Sequence, residues 1–135
     1  MQMTRSQSAL LAAGLLGATG VATGALGAHA LAATLTVRDT RTVWETAVHF
    51  HLFHAVALVG LSAWLRAGDA GAAGRRAGWA VRCWTVGTIG FSGSLYALAF
   101  GVAPHLVGPV TPLGGLFLLA GWIFAAAAAV APHAA

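Results

Sequence analysis

The chain has 135 residues, of which 59% are hydrophobic and 7% are charged. Because soluble domains carry about 25% charged residues, this composition excludes a soluble globular protein and indicates a membrane protein with one domain, residues 1–135. The formal charge of +4 comes from seven arginines and no lysine. These arginines lie at the ends of apolar segments, which favours contact with a lipid bilayer over a nucleic-acid partner. The single cysteine, Cys83, excludes an intrachain disulfide and a multi-cysteine metal site.

The first predicted helix covers about residues 8–32, more than the roughly 20 residues that a membrane span needs. Gly17, Gly20, Gly24 and Gly27 follow one another at intervals of three and four residues, so they share one face of this helix. Small residues on one face let a second helix approach closely inside a membrane. The pattern therefore predicts a helix-packing surface.

The same segment has an alternative interpretation as a signal peptide. Arg5 precedes the apolar segment, and Ala28-His29-Ala30 resembles a small-x-small cleavage site. The apolar segment is longer than the 7–15 residues usual in a signal peptide. We therefore favour a helix that is retained.

The second predicted helix covers about residues 43–65 and carries tryptophans near both ends, Trp44 and Trp64. Tryptophans are enriched at membrane interfaces. A polar connection precedes this helix at residues 34–42. A glycine-rich and arginine-containing segment at residues 66–78 follows it and is predicted to be a loop.

The third and fourth predicted helices cover about residues 79–101 and 112–130. Pro104, Pro109 and Pro112 separate them, because proline cannot continue a helix interior and biases the preceding residue to extended backbone. Pro112 itself is compatible with the first turn of a helix. The predicted fold is therefore all-α, a four-helix transmembrane bundle.

The distribution of arginine predicts the orientation of this bundle. With four spans, the termini and the second connection lie on one side of the membrane, together with most of the arginines. That side holds Arg5, Arg66, Arg75, Arg76 and Arg82, and the other holds Arg38 and Arg41. Positively charged residues are enriched in cytoplasmic segments, so both termini are predicted to be cytoplasmic.

The predicted topology places most of the polar side chains in the outer half of the bundle. This predicted polar cluster consists of His29, Glu45, His49, His51, His54, Ser92, Ser94 and Tyr96. His105 and Thr111 lie in or beside the outer connection between the last two helices. Ionisable groups within a membrane segment need partners or a function.

Helical spacing divides the polar residues of the second helix. Glu45 and His49 are four residues apart and are predicted to form an interfacial pair. His51 and His54 are three apart and lie on a different face from His49. His54 lies about 15 Å along the helix from Trp44, so it is the histidine least able to reach water.

Two interpretations of His54 remain open. It is either a histidine that hydrogen-bonds within the bundle, or a ligand of a metal or haem or a proton relay, with His29 or His51 as its partner. Zinc usually takes three or four protein ligands, which the spacing alone does not supply. Ser92-Gly93-Ser94 lacks the Gly-x-Ser-x-Gly pattern of a nucleophile elbow, which argues against a serine hydrolase. Trp122 is predicted to be a core residue.

Segments of all four predicted helices resemble one family. They are Gly24-Ala25-Leu26-Gly27-Ala28-His29-Ala30-Leu31, the segment from Trp44 through His54-Ala55 to Leu58, Phe91-Ser92-Gly93-Ser94-Leu95-Tyr96, and Thr111-Pro112-Leu113-Gly114-Gly115 with Gly121-Trp122. They resemble the YgdD-like small membrane proteins, a domain-of-unknown-function family related to transmembrane protein 256. The resemblance implies a four-helix protein of the bacterial inner membrane that retains its first helix, and it supplies no activity. Gly114 and Gly115 are added to the predicted helix-packing residues.

One position departs from the family pattern. Where this chain has His51, members of the family more often have glutamine, and position 49 is variable. This departure weakens any site that requires His49 or His51. It leaves His29 and His54 as the candidate pair.

The leading functional prediction is a non-enzymatic structural or accessory component that self-associates or joins a larger membrane complex. The alternative is a binding or transfer module in which His29 and His54 hold a metal, a haem, a proton or a lipid headgroup. An intramembrane enzyme would need a paired nucleophile and base in one pocket. The sequence requires no cofactor.

Overall fold

The structure is a computed structural model that describes residues 2–68 and 71–131, and these residues form six helices. Four of the helices are long: α1 (Arg5–Ala28), α3 (Arg41–Arg66), α4 (Gly71–Ala99) and α6 (Val110–Ala129). The short helices α2 (Ala32–Val37) and α5 (Pro104–Val107) connect them in pairs. The predicted all-α class is confirmed for the described residues.

The long helices pack in chain order and alternate in direction. Ser62 Oγ of α3 donates to Ser6 O of α1 at 2.9 Å, and Trp44 Nε1 donates to Thr23 O at 3.0 Å, so α1 and α3 are antiparallel. Further along the chain, α3 packs on α4 and α4 packs on α6. We call the end that holds the start of α1 the arginine-rich end, and the end with α2 and α5 the opposite end.

Three helical segments within the described residues are long and apolar enough to cross a membrane: 5–28, 41–66 and 104–129, which combines α5 with α6. The sequence predicts a fourth span in α4, which is outside this set. Its first half carries three arginines and its second half carries Thr85, Thr88, Ser92 and Ser94. Helix α4 packs against both α3 and α6, so many of its side chains contact protein.

Several predicted boundaries were wrong. The third long helix begins at Gly71, eight residues before the predicted start, and residues 69 and 70 of the predicted loop lie outside the described residues. Glycine and arginine suggested a loop, but Ala73, Gly74 and Ala77 are buried against neighbouring helices. The connection predicted at 34–42 is partly helical, as α2. Helix α6 begins at Val110, and Pro112 falls in its first turn, where its missing N–H has no helical role.

Three of the four glycines predicted to pack in α1 contact α3. A Cβ atom at Gly20 would lie 2.7 Å from Leu52 Cδ2, one at Gly24 would lie 3.3 Å from Val48 Cγ1, and one at Gly27 would overlap the Trp44 ring. A Cβ atom at Gly17 would meet nothing within 4 Å. The glycine face of α1 therefore packs against α3 of the same chain, and Gly17 is not part of this contact.

A second glycine contact joins α4 and α6. A Cβ atom at Gly114 would overlap the backbone of Phe91, and one at Gly87 would lie 2.8 Å from Leu118 N. At Gly115 the added atom would make only an ordinary contact, 3.7 Å from a ring carbon of Phe91. Backbones can approach this closely only where side chains are absent. Of the predicted pair, Gly114 is the residue that the packing of α4 on α6 requires.

Candidate functional site

Two histidines of α3 are buried, and they contact different neighbours. His51 and His54 are 7% and 3% exposed, respectively. Because three residues turn a helix by about 300°, their side chains point about 60° apart. His51 contacts α1 and α4, whereas His54 contacts aromatic residues of α4 and α6.

His51 lies in a network of hydroxyl groups that links α1, α3 and α4. Its Nδ1 atom lies 3.2 Å from the Tyr96 hydroxyl, and its Nε2 atom lies 3.2 Å from Thr19 Oγ1. The Tyr96 hydroxyl also lies 2.9 Å from Thr23 Oγ1. We call these four residues the His51 network. Each imidazole nitrogen has a hydroxyl partner.

The proton count of this network permits more than one arrangement. Thr19 Oγ1 lies 2.8 Å from Leu15 O and Thr23 Oγ1 lies 3.0 Å from Gly20 O, so each hydroxyl also has a backbone acceptor. A neutral imidazole donates from one nitrogen and accepts at the other. With the proton on Nε2, the Tyr96 hydroxyl donates to Nδ1, so Thr23 must turn its hydroxyl from Gly20 O to Tyr96. With the proton on Nδ1, Thr19 must turn its hydroxyl from Leu15 O to Nε2. The two neutral tautomers thus satisfy equal numbers of hydrogen bonds.

His54 has a single arrangement. Its Nδ1–H donates to Phe50 O at 2.8 Å, because a carbonyl can only accept. The remaining nitrogen, Nε2, then accepts from Trp122 Nε1–H at 3.3 Å. The first bond is short and the second is long for an N–H donor. The tautomer of His54 is fixed, and Nε2 is its weakly bonded atom.

Aromatic rings and a cleft surround His54. The rings of Trp84 and Trp122 both lie 6.2 Å from the imidazole, and their own centroids are 4.6 Å apart. Between α3 and α6 lies a cleft of about 510 Å³, whose lining includes Phe50, Phe53, His54 and Trp122. This volume falls within the ~300–1,000 Å³ typical of small-molecule sites. We call it the His54 cleft.

The other histidines and the acidic residue of the predicted cluster lie apart from these groups. His29 is exposed at the end of α1, and the hydrogen bonds of His54 go to Phe50 and Trp122. His49 is exposed, although it reaches the rim of the His54 cleft. The predicted pairing of Glu45 with His49 was wrong. Glu45 Oε1 instead accepts from Nε of Arg41, one turn earlier in α3, at 2.9 Å.

The serines of the predicted cluster also have separate environments. Ser94 Oγ lies 2.7 Å from Thr111 Oγ1, which links α4 to α6. Ser92 Oγ is buried and has no hydrogen-bond partner among the described residues. The same holds for Thr88 Oγ1 and Trp84 Nε1, which lie one and two turns earlier on α4. The predicted cluster is thus divided between several helix contacts.

Sequence reasoning missed three residues of these groups: Thr19, Thr23 and Trp84. A signal for the threonines was present, since Thr19 and Thr23 are four residues apart and lie beside Gly20 and Gly24, which pack on α3. A polar residue beside a close helix contact has a hydrogen-bond partner within reach. The prediction of Trp122 as a core residue was wrong: it is 43% exposed at the His54 cleft, and its N–H donates to His54 Nε2.

Metal binding has limited support from this geometry. Among the described residues, no group of three or more His, Cys, Asp or Glu side chains stands close enough to hold one ion. Both nitrogens of His54 are engaged, so a metal would have to displace the indole N–H from Nε2. The ligand role predicted for His29 and His54 stays a prediction.

Long apolar helices, interior hydrogen bonds between helices and side-by-side packing define an integral membrane protein with transmembrane helices. A family model described as "Protein of unknown function (DUF423)" matches residues 23–115, and the chain belongs to this family. The matched region includes His51, His54, Tyr96 and the first turns of α6. The predicted family is therefore confirmed.

Similar proteins occur in distant bacteria. UPF0382 membrane protein YwdK of Bacillus subtilis is 36% identical over 91% of this chain and 89% of its own length. UPF0382 inner membrane protein YgdD of Escherichia coli is 35% identical over 87% of this chain and 85% of its own. UPF0382 membrane protein SH2409 of Staphylococcus haemolyticus is 36% identical over 76% of this chain and 79% of its own. No solved structure matches the chain.

Proposed function

We propose that this protein is a non-enzymatic component of the bacterial inner membrane that self-associates or joins a larger membrane complex. In this proposal the four long helices span the membrane and both termini are cytoplasmic. The E. coli relative, named an inner membrane protein, supports the location. The alternating directions of the helices support the number of spans, since α4 runs beside α3 and α6.

The use of the interior polar side chains supports this proposal. The His51 network joins α1, α3 and α4, Ser94 with Thr111 joins α4 to α6, and His54 with Trp122 joins α3 to α6. Hydrogen bonds between membrane helices contribute roughly 0.6 kcal/mol each. The polar side chains thus have a structural role in holding the helices together. Such a rigid assembly suits a component that presents its outer surface to other proteins.

Crosslinking in native membranes tests the proposed association. In a Cys83→Ala background, single cysteines replace Ala18, Gly60, Gly93 or Ala126, exposed positions on α1, α3, α4 and α6 respectively. We expect one position to give an oxidised adduct, and native mass spectrometry in mild detergent to give the same stoichiometry. A cysteine at Ala13, which is 3% exposed, serves as the control that should not crosslink. A monomeric mass together with no adduct at any of the four positions would contradict the proposal.

The His54 cleft favours a second candidate function, the binding of a membrane-soluble molecule. The cleft is lined mainly by apolar side chains and contains one weakly bonded acceptor, Nε2 of His54. A ligand hydroxyl could donate to Nε2 in place of the indole N–H at 3.3 Å. This candidate is a binding module for an apolar compound with a hydroxyl group.

Extraction of the purified protein tests this candidate. Organic extracts of wild type, His54→Gln and His29→Gln are analysed by mass spectrometry, together with metal content and an absorption spectrum. We expect a co-purifying compound in wild type and His29→Gln that is lost from His54→Gln. Loss from both variants would instead support the predicted His29–His54 pair. If all three proteins yield the same compounds, binding at the His54 cleft is excluded.

A further inference from the structure

A pocket at the arginine-rich end brings together charges from two helices. It has a volume of about 340 Å³, and its lining includes Arg5, Arg75, Trp79 and Arg82. We call it the arginine pocket. None of its described lining residues is acidic. Three guanidinium groups at one pocket favour an anion as the occupant.

Two of the three arginine side chains reach adjacent residues of α4, Gly78 and Trp79. The Arg5 side chain crosses to α4, where its Cδ lies 3.1 Å from the site of a Cβ on Gly78. Arg82 lies one turn further along α4, yet its Cζ lies 4.9 Å from the centre of the Trp79 ring, towards the start of the helix. Helical side chains point towards the N-terminus, and long cationic ones extend to the membrane interface. With α1 and α4 spanning the membrane, as the proposed function has it, the pocket lies at headgroup level.

An apolar groove continues from this pocket between α1 and α4. It has a volume of about 270 Å³ and shares Met3 and Ser8 with the arginine pocket. Its other lining side chains include Leu11, Leu15 and Ile89, all largely exposed. A cationic pocket that opens into an apolar groove matches an amphipathic anion, with a phosphate at one end and a hydrocarbon chain at the other.

We propose that the arginine pocket binds the phosphate of an anionic phospholipid and that the groove between α1 and α4 holds one of its acyl chains. Guanidinium groups donate two hydrogen bonds in the plane of a phosphate. The exposed ring of Trp79 suits the boundary between headgroup and chain. Basic pockets between membrane helices are a known form of headgroup recognition. This inference is independent of the proposed association and of the His54 cleft.

Native mass spectrometry of the full chain tests the lipid site. The probes are phosphatidylglycerol with long acyl chains, phosphatidylcholine with the same chains, and inorganic phosphate. The variants Arg75→Gln and Arg82→Gln remove pocket charges, and Arg66→Gln removes an exposed charge at the same end outside the pocket. Helical content by circular dichroism verifies that each variant is folded.

We expect wild type and Arg66→Gln to retain phosphatidylglycerol in preference to phosphatidylcholine. Each pocket variant should bind it about tenfold more weakly, because it loses a charge-assisted hydrogen bond to the phosphate. Equal weakening in Arg66→Gln would show general charge attraction and overturn the site. Displacement of the lipid by inorganic phosphate would show that the acyl chain does not contribute and would overturn the groove. Equal binding of both lipids would overturn the preference for an anionic headgroup.

Discussion

His51 and His54 share one helix face to within about 60°, but their surroundings differ in kind. His51 lies among three hydroxyl groups, each of which has a further acceptor or donor, and no cleft opens onto it among those described. His54 lies among aromatic rings beside a cleft of about 510 Å³. The same side chain is thus enclosed by polar partners in one place and next to open space in the other.

This difference separates a structural histidine from a candidate binding residue. A hydroxyl network that joins three helices stabilises their arrangement, and a ligand could reach it only by separating helices. Among the described residues, the Trp122 N–H is the one interhelical hydrogen-bond partner of His54, and its distance of 3.3 Å makes it the easier bond to exchange. The position on the helix, rather than residue type, determines which role each histidine can take.

The largest expected effect comes from removing the aromatic support of His54. Trp84→Ala deletes a side chain that is 3% exposed and packs between α3 and α6. We expect a loss of about 4 kcal/mol in the free energy of unfolding, typical of a deleted buried tryptophan. Reversible unfolding in mixed micelles measures it. Trp79→Ala, at a ring 52% exposed, is the control, and an equal loss there would contradict the interpretation.

Replacement of His51 tests the polar side of the comparison. His51→Leu removes two interhelical hydrogen bonds, so we expect a loss of about 1–2 kcal/mol in unfolding free energy. His51→Gln can keep one of the two bonds and should lose about half as much. The same unfolding assay measures both variants. If glutamine were as destabilising as leucine, the hydrogen bonds would not be the source of the stability.

Trp122→Phe tests how strongly His54 is held. Phenylalanine keeps an aromatic ring but removes the N–H donor to Nε2. Because that bond is long, we expect a loss of no more than about 0.6 kcal/mol, the average for one membrane hydrogen bond. A loss as large as that in His51→Leu would show that His54 is as firmly bonded as His51.

The smallest expected effect lies on the exposed part of α3. Glu45→Gln removes the charge that pairs with Arg41, and both side chains are more than half exposed, at 54% and 56%. Solvent screening limits such pairs, so we expect about 0.3 kcal/mol. Unfolding at low and high salt should show a difference that disappears at high salt. A loss that does not depend on salt would show that Glu45 stabilises the protein through a contact other than its pair with Arg41.

The sequence predicted the fold better than the site. Composition and apolar helical length suffice for an all-helical membrane protein. The glycine spacing in α1 predicted a helix-packing face without its partner, and the structure shows contacts with α3 at Gly20, Gly24 and Gly27. The early start of α4 at Gly71 was missed because local glycine and arginine content suggested a loop, whereas burial of Ala73 and Ala77 stabilises helix. Tertiary packing outweighed local propensity there.

The site depends on how the helices are rotated against each other. Periodicity separated His49 from His51 and His54, as their exposure now shows. It could not tell that His51 contacts Thr19 while His54 contacts Trp122, because a rotation of 60° exchanges one neighbouring helix for another. The pairing of His54 with His29 stays a prediction, and the observed contacts of His54 do not depend on it.

Solid-state ¹⁵N NMR of histidine-labelled protein in lipid bilayers tests the contrast between the two histidines most directly. Difference spectra against His51→Gln and His54→Gln assign these two imidazoles among the six histidines of the chain. We expect one neutral tautomer at His54, with the proton on Nδ1, and a mixture of both neutral tautomers at His51. A proton on Nε2 of His54, or a single tautomer at His51 with a mixture at His54, would contradict it.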